Sequence, residues 1–336
     1  MADSRTSVAT ASFACLWCGQ TWTVRSPDDL EGYAKLCPDC LGKAGDNEFL
    51  RYRLRAALEA RAAASAPVAP EVPAPAATAP AVPAVAVPAA TAPAAPRDLA
   101  AGDRELIAYY EARAPEYDDW YLRRGRYEHG PIHDAAWNAE LDAAGRWLDG
   151  LPIAGRIVEL AAGTGWWSPL LASKGELWMY DAAEAPLARA RERLVAHRLR
   201  AHLHVRDAWA EPDAEAREGF VGDGSPADAL FAGFWLSHVD RARTGAFLEL
   251  AGRWLAPGGR IALIDSLPDP QSGAVDHQAP AQDRSVRRLA DGRAFTIVKV
   301  DRSADEIAAA MKAADFRDVE VTTTGRFFVL ATGVRG

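Results

Sequence analysis

The chain has 336 residues, enough for two domains. Its 38 Lys and Arg against 46 Asp and Glu give a net charge of −8, a balance that disfavours a polyphosphate as main partner. No run of about 18 apolar residues occurs, so no membrane span is expected. The start, MADSRTSVATASFAC, lacks the basic-then-apolar pattern of a signal peptide, and the expected location is cytoplasmic.

All four cysteines lie between positions 15 and 40, which argues against a cysteine nucleophile in the rest of the chain. Cys15-x2-Cys18 and Cys37-x2-Cys40 are separated by eighteen residues. Two such knuckles match a four-thiolate zinc site. Redox pairs and disulfides are the alternatives, and a cytosolic setting disfavours disulfides. A segment this short buries too little core to fold without a staple. The stretch resembles a zinc ribbon. Four thiolates leave no open coordination position, so the expected Zn2+ is structural.

Residues 48–64 read as a helix, with Phe49, Leu50, Leu54 and Leu58 on one stripe and Arg51, Arg53 and Arg55 on a solvated face. The stretch 66–96 holds nine prolines and a single charge, Glu71. Proline at that density prevents helix and sheet and favours an extended chain, about 90 Å at full reach. The domain limits expected are 1–64 for the ribbon and its helix, 65–97 for a disordered Ala/Pro linker, and 98–336 for the remainder.

Structure restarts with a helical stretch at 103–121. Asp103 is suited to cap it, and Pro115 to end or kink it. Tyr110, Tyr117 and Tyr121 share one helical face. A basic patch, Arg123, Arg124 and Arg126, precedes His129 and His133, and a helix is expected over 131–148. The next stretch organises the chain. Ile157-Val158 reads as a buried parallel strand, Ala161-Ala162-Gly163-Thr164-Gly165 as a tight turn, and the residues from Trp166 as a helix. Glycine at 163 and 165 lets the turn bend and a ligand lie against it. A second strand, 177–180, ends in Asp181, where a carboxylate can accept from both hydroxyls of a ribose. The dinucleotide fingerprint requires a third glycine where Ser168 stands, so the site suits a nucleoside without a pyrophosphate better than NAD.

The ordered stretches ELAAGTGWWS, LWMYDAAEAPLARARERL, HVRDAW, DALFAGFWLSHV and LAPGGRIALID resemble the motifs of class I S-adenosylmethionine (SAM) dependent methyltransferases. The resemblance covers about residues 103–336. It implies an α/β fold, Rossmann-like, with a seven-stranded sheet that finishes in an antiparallel hairpin at 319–324 and 327–332. It implies SAM as co-substrate. The implied SAM contacts are Glu159, Ala161, Gly163, Gly165 and Asp181, with Asp207 and Ala208 at the adenine and Phe234 near the methionine end. The element Ala114–Asp118 resembles a lid motif whose tyrosine, here Tyr117, contacts the methionine carboxylate. A third strand is expected at 200–206, a fourth at 229–235, a fifth at 261–265, a loop with a short helix over 267–293, and a strand at 294–300. His202 and His204 point to one side of the third strand and lack a third partner for a metal.

Methyl transfer from a sulfonium needs alignment and exclusion of water; a base is needed only when the acceptor must lose a proton. His238, just past the fourth strand, is the first catalytic candidate, with His129 and His133 behind it. Trp166, Trp167, Trp235, Tyr110 and Tyr121 suggest an aromatic-walled site for a small methyl acceptor with an O or N nucleophile. The expected partners are that acceptor and a protein partner for the ribbon, with neither nucleic acid nor membrane. Two alternatives compete. One is an RNA methyltransferase recruiting substrate through the ribbon, against which stand the acidic charge and GFWLSHV in place of an N-P-P-aromatic motif. The other is a non-catalytic SAM-fold interaction protein, against which stand the intact glycine turn, Asp181 and Asp207.

Overall fold

The computed structural model describes residues 11–14, 21–24, 101–212, 226–277 and 281–336. The chain divides into two units, Met1–Ala89 and Ala90–Gly336. In the first, β1 (Ala11–Ala14) pairs antiparallel with β2 (Thr21–Val24), in register Phe13 to Trp22. The four cysteines, the 48–64 helix and the 65–97 linker lie outside the described residues.

The second unit begins with α1 (Ala101–Arg113), a single tight turn (Ala114–Glu116) and α2 (Tyr117–Leu122). The break falls at Pro115, which has no N–H to continue the ladder. Asp103 lies inside the first turn of α1 and grips Arg243 through both oxygens at 3.0 and 3.1 Å; it does not cap the helix. After α3 (Pro131–Gly150) come β3 (Gly155–Leu160), α4 (Ser168–Lys174), β4 (Gly175–Asp181), α5 (Glu184–Ala196) and β5 (His202–Val205). Then follow β6 (Ala227–Gly233), α6 (Thr244–Trp254), β7 (Leu255–Ser266), β8 (Arg284–Arg288), β9 (Ala294–Val298), α7 (Ala304–Ala313), β10 (Phe316–Thr323) and β11 (Phe328–Arg335).

Seven strands form one mixed sheet in the order β10-β11-β7-β6-β3-β4-β5. The five from β5 to β7 are parallel, and β11 and β10 complete the sheet antiparallel. This is the Rossmann-like arrangement that the sequence resemblance implied. Chain order reverses between β3 and β6, and their carboxyl ends open a crevice there. The central strands carry runs of buried residues, as strands covered on both faces must. On one face Val158, Leu160, Trp178, Tyr180, Leu230 and Leu263 pack against Phe247, Leu248 and Trp254 of α6 and Ile307 and Met311 of α7. On α3, Trp137, Leu141 and Leu148 are buried, and the Trp137 ring lies 4.7 Å from that of Phe328 on β11.

Two elements differ from the sequence expectation. The stretch 267–293 contains strand β8 where a short helix was expected, and β8 pairs with β9 as a separate antiparallel hairpin. The 294–300 stretch therefore joins that hairpin and not the main sheet. Hairpin residues Leu289 and Ile297 cluster with Leu106 and Tyr109 of α1, so their apolar side chains face α1 rather than the central strands. The β7 strand is also longer than expected. It runs through Pro257-Gly258-Gly259, where the register with β6 shifts between Ala227 and Ala229.

The β10–β11 turn is held by one carboxylate on α3. Glu140 accepts from Thr324 Oγ1, from the Arg326 amide at 3.0 Å and from the Phe327 amide at 2.8 Å. Glu140→Ala is expected to lower unfolding stability by about 1–3 kcal/mol, since hydrogen bonds to a charged group are lost together. Urea denaturation measures this; an unchanged midpoint would mean that the turn holds itself.

Candidate functional site

The residues at the strand ends line a cavity of about 620 Å³, part of it open to solvent. It is lined by Tyr117, Ala161, Gly163, Asp181, Asp207, Ala208, Phe234 and His238 among others. Four strands thus deliver their carboxyl-terminal residues to one place.

Two of those ends are bent sharply. Ala161 after β3 and Phe234 after β6 both have left-handed backbone, φ 51° and 59°. Each costs about 1–2 kcal/mol in a non-glycine residue. The Phe234 amide is held by the Ile264 carbonyl at 2.6 Å. Gly163 is also left-handed, φ 57°, and a Cβ there would meet the Tyr117 hydroxyl at 3.0 Å. The missing side chain is what lets Tyr117 lie over the turn. Gly165 serves packing: a Cβ would meet that of Ala190 on α5 at 2.8 Å. It does not line the cavity.

Asp181 ties the strand ends together. Its two carboxylate oxygens accept from the amides of Gly163 and Ala183, each at 2.8 Å. Burial raises its pKa to about 6; the two amide donors oppose the rise, and Glu111 and Asp207 add to it. Asp207, after β5, accepts from the Trp209 amide at 2.9 Å. The Ala114–Asp118 element is pinned by a residue that sequence reasoning missed. Asp118, beside Tyr117, accepts from Thr164 Oγ1 at 2.7 Å and from the Arg193 guanidinium, while Arg193 Nε donates to the Thr164 carbonyl at 3.0 Å. Asp118 thus links α2, the glycine turn and α5. The signal was the Tyr-Asp pair itself, read only for its tyrosine.

Glu159 is placed differently from the expectation. It is buried beneath the turn and does not reach the cavity. Its carboxylate accepts from Ser168 Oγ at 2.6 Å and so fastens the start of α4. The reason is strand alternation: Leu160 takes one face and Glu159 the other. Burial raises its pKa from 4.5 to about 8; the Ser168 bond opposes this.

His238 lines the cavity from a tight turn, Leu236–His238. Its Nδ1 lies 2.7 Å from the Val298 carbonyl and its Nε2 2.7 Å from the Tyr110 hydroxyl. Burial, with Lys299 next, lowers its pKa to about 3; the Val298 bond opposes this, and Arg287 and Arg113 reinforce it. His129 and His133 are elsewhere. His129 Nε2 lies 2.9 Å from the Gly273 carbonyl, His133 Nδ1 lies 3.2 Å from Asp134, and neither lines the cavity.

Of the five aromatics expected to wall the site, Tyr110 and Trp235 do so, joined by Trp209. Trp166 is stacked on Tyr121, rings 4.2 Å apart and 1° from parallel. Trp167 is buried, its ring 6.4 Å from that of Phe231 on β6. These three are core. His202 and His204 stack on Trp178 at 4.0 and 5.6 Å, so their common face is an aromatic one. No cluster of metal-binding side chains occurs among the described residues, and no helix among them is long and apolar enough to cross a membrane.

Residues 157–259 match the family described as methyltransferase domain. Among solved structures, a DhpI–SAH complex shares 28% identity at a TM-score of 0.51, over 69% of this chain and 96% of that one. A DhpI–SAM–HEP complex shares 27% at 0.53, over 70% and 99%. A Burkholderia thailandensis 1,6-didemethyltoxoflavin-N1-methyltransferase with bound 1,6-didemethyltoxoflavin and S-adenosylhomocysteine shares 14% at 0.45, over 72% and 93%. No curated protein sequence matches the chain. The matched stretch runs from β3 into β7 and so lies inside the seven-stranded unit.

Glu159 generates a prediction on stability. With its folded pKa above the unfolded 4.5, the folded chain binds more protons from pH 4.5 to about 8. Stability contributed by this group therefore falls as pH rises through that window, by at most about 1.4 kcal/mol per unit. Glu159→Gln should gain on the wild type from pH 5 to pH 8 in denaturant titrations of ligand-free protein. Parallel pH profiles would show that Glu159 ionises freely in the folded chain.

Proposed function

We propose that this chain is a SAM-dependent methyltransferase that transfers a methyl group to an O or N nucleophile of a small molecule. The observation that carries the reading is the cavity at four strand ends, lined by the glycine turn, Asp181 and Asp207. Its residues fit the nucleoside. Asp181, with lone pairs beyond its two amide bonds, would hold the ribose hydroxyls. Asp207 and Ala208 would meet the adenine, and Gly163, Tyr117 and Phe234 the methionine end. The bound SAM supplies an electrophilic methyl on a sulfonium. The chain's share is to orient the acceptor and exclude water, and Tyr110, Tyr117 and Trp235, which line the cavity, would do this. The acidic charge supports a small acceptor over RNA.

Calorimetry with SAM tests the binding site. Asp181→Ala should weaken SAM at least about tenfold, the cost of roughly one charge-assisted hydrogen bond; wild-type affinity in the variant would remove the ribose assignment. A tritiated-SAM screen of small hydroxyl and amine compounds against purified RNA tests the acceptor. Salt-sensitive methylation of RNA would overturn the small-molecule reading.

The amino-terminal reading rests on donor chemistry. Cys15, Cys18, Cys37 and Cys40 are four soft ligands at knuckle spacing, which suits one structural zinc, in a ribbon that recruits a protein partner. The 65–97 linker is read as a disordered tether. Cys37→Ser should release the metal, measured by elemental analysis, while SAM binding stays at the wild-type level. Deletion of residues 1–96 should leave small-molecule turnover largely intact. Loss of most turnover would instead make the ribbon part of substrate recognition.

A further inference from the structure

The cavity holds a hydrogen-bonded pair whose proton positions follow from chemistry, and its Tyr110 ring lies 5.6 Å from that of Tyr117, which the methyltransferase reading puts at the methionine end. Tyr110 comes from α1 and His238 from the turn after β6, and both line the cavity. Their rings meet edge to face, centroids 5.5 Å apart at 81°. The far side of His238 faces the Val298 carbonyl, at the end of β9. A carbonyl only accepts, so the imidazole carries its proton on Nδ1. Nε2 is then a bare lone pair, and the hydroxyl 2.7 Å away must donate to it. The backbone fixes this arrangement from both sides. The Val300 amide donates to the Ser237 carbonyl at 2.7 Å, and Ser237 accepts through its hydroxyl from Lys299 Nζ at 2.9 Å. The β9 end therefore clamps the turn that carries His238.

With its proton committed to Nε2, Tyr110 keeps only oxygen lone pairs for a ligand. We propose that the Tyr110 oxygen accepts a hydrogen bond from the O–H or N–H of the methyl acceptor and aims that nucleophile at the methyl group, while His238 stays neutral and acts as the positioning residue that holds the Tyr110 hydroxyl in place. This deepens the methyltransferase reading and rests on it. In the displacement the nucleophile's lone pair forms the new bond to the methyl carbon. The carbon–sulfur pair returns to sulfur, and the proton that pointed at Tyr110 leaves to solvent. Charge supports this division of labour. The cations around His238 are Lys299 and Arg287 from the hairpin side and Arg113 from α1, and the neighbouring titratable rings are Tyr110 and Tyr117, which stay neutral. An imidazolium there would sit buried among like charges. Sequence position alone makes His238 a base; the structure assigns it the opposite need, to remain uncharged.

Three measurements on the full chain test this. The first needs no acceptor. In protein labelled with 15N-histidine, His238 should show a protonated Nδ1 and a bare Nε2, with shifts unchanged from about pH 5.5 to 8.5. A titrating ring or a protonated Nε2 overturns the pair. The second is calorimetry: Tyr110→Phe and His238→Gln should bind SAM within about threefold of wild type. The third is tritiated-SAM turnover with phenol and ethanolamine as probe acceptors. Both variants should lose roughly 10- to 100-fold in kcat/KM, the scale of a misoriented nucleophile. The double variant should be no slower than Tyr110→Phe, because His238 acts only through Tyr110. Additive losses, or wild-type turnover in Tyr110→Phe, overturn the proposal. Wild-type protein that fails to bind SAM would sink the methyltransferase reading itself and leave the histidine tautomer as a separate result.

Discussion

One buried carboxylate organises the ligand end of this sheet. Asp181 closes β4, and its oxygens accept from an amide in the turn after β3 and an amide at the start of α5. The turn after β3, the end of β4 and the start of α5 are thereby fixed to one side chain. A buried carboxylate is costly unless it is hydrogen-bonded, and the two amides offset part of that cost. They do not remove it, since its pKa remains raised to about 6. The unused lone pairs make the position receptive to further donors. Around it, left-handed Ala161 and Phe234 store strain at the two strand ends flanking the crevice.

The cap over the crevice is assembled from segments distant in sequence. Asp118 pins α2 to Thr164 and Arg193, and Asp103 pins α1 to Arg243. Arg243 in turn lies over the Trp209 ring at 3.8 Å. The β8–β9 hairpin supports α1 through Leu289, Ile297 and Phe295. Arg113, at the end of α1, is buried among the rings of Tyr109, Tyr110, Tyr117 and Tyr127. Ring faces are attractive to a guanidinium, so the tyrosines hold this cation where no salt bridge to it is seen among the described residues. The same charge helps keep His238 neutral. The cap thus contributes shape through aromatic packing and a field through its arginines.

Polar side chains in this domain hold backbone more often than they meet one another. Glu140 fastens a hairpin turn, Asp265 accepts from the Ser237 amide at 2.7 Å, and Arg302 gathers the Leu236 and Val239 carbonyls at 2.6 Å each. The turn that presents His238 lies between those two carbonyls. Buried backbone groups must be satisfied, and irregular turns leave the most of them open.

Much of the main sheet was legible in the sequence. Apolar runs such as 177–180 and 261–264, each ended by aspartate, mark parallel strand ends, and Gly163, Asp181 and Asp207 meet at one cavity. Local pattern was enough because each signal sits within a few residues of the element it ends. It was not enough for Trp166, Trp167 and Tyr121, since an aromatic side chain suits a core and a binding wall equally well. Only packing decided that these are core while Trp209 faces the cavity. Nor did the sequence show that 284–288 pairs with 294–298 against α1, because a polar face gives the same pattern in a loop or an exposed strand. Asp118, Glu159 and His238 show the remaining gap. Their residue types announced chemistry, but a carboxylate or imidazole takes its role from the donors and charges around it. For Asp118 and His238 those arrive from elements tens of residues away, for Glu159 the donor is nearby Ser168 and burial does the rest, and only tertiary structure brings these surroundings together.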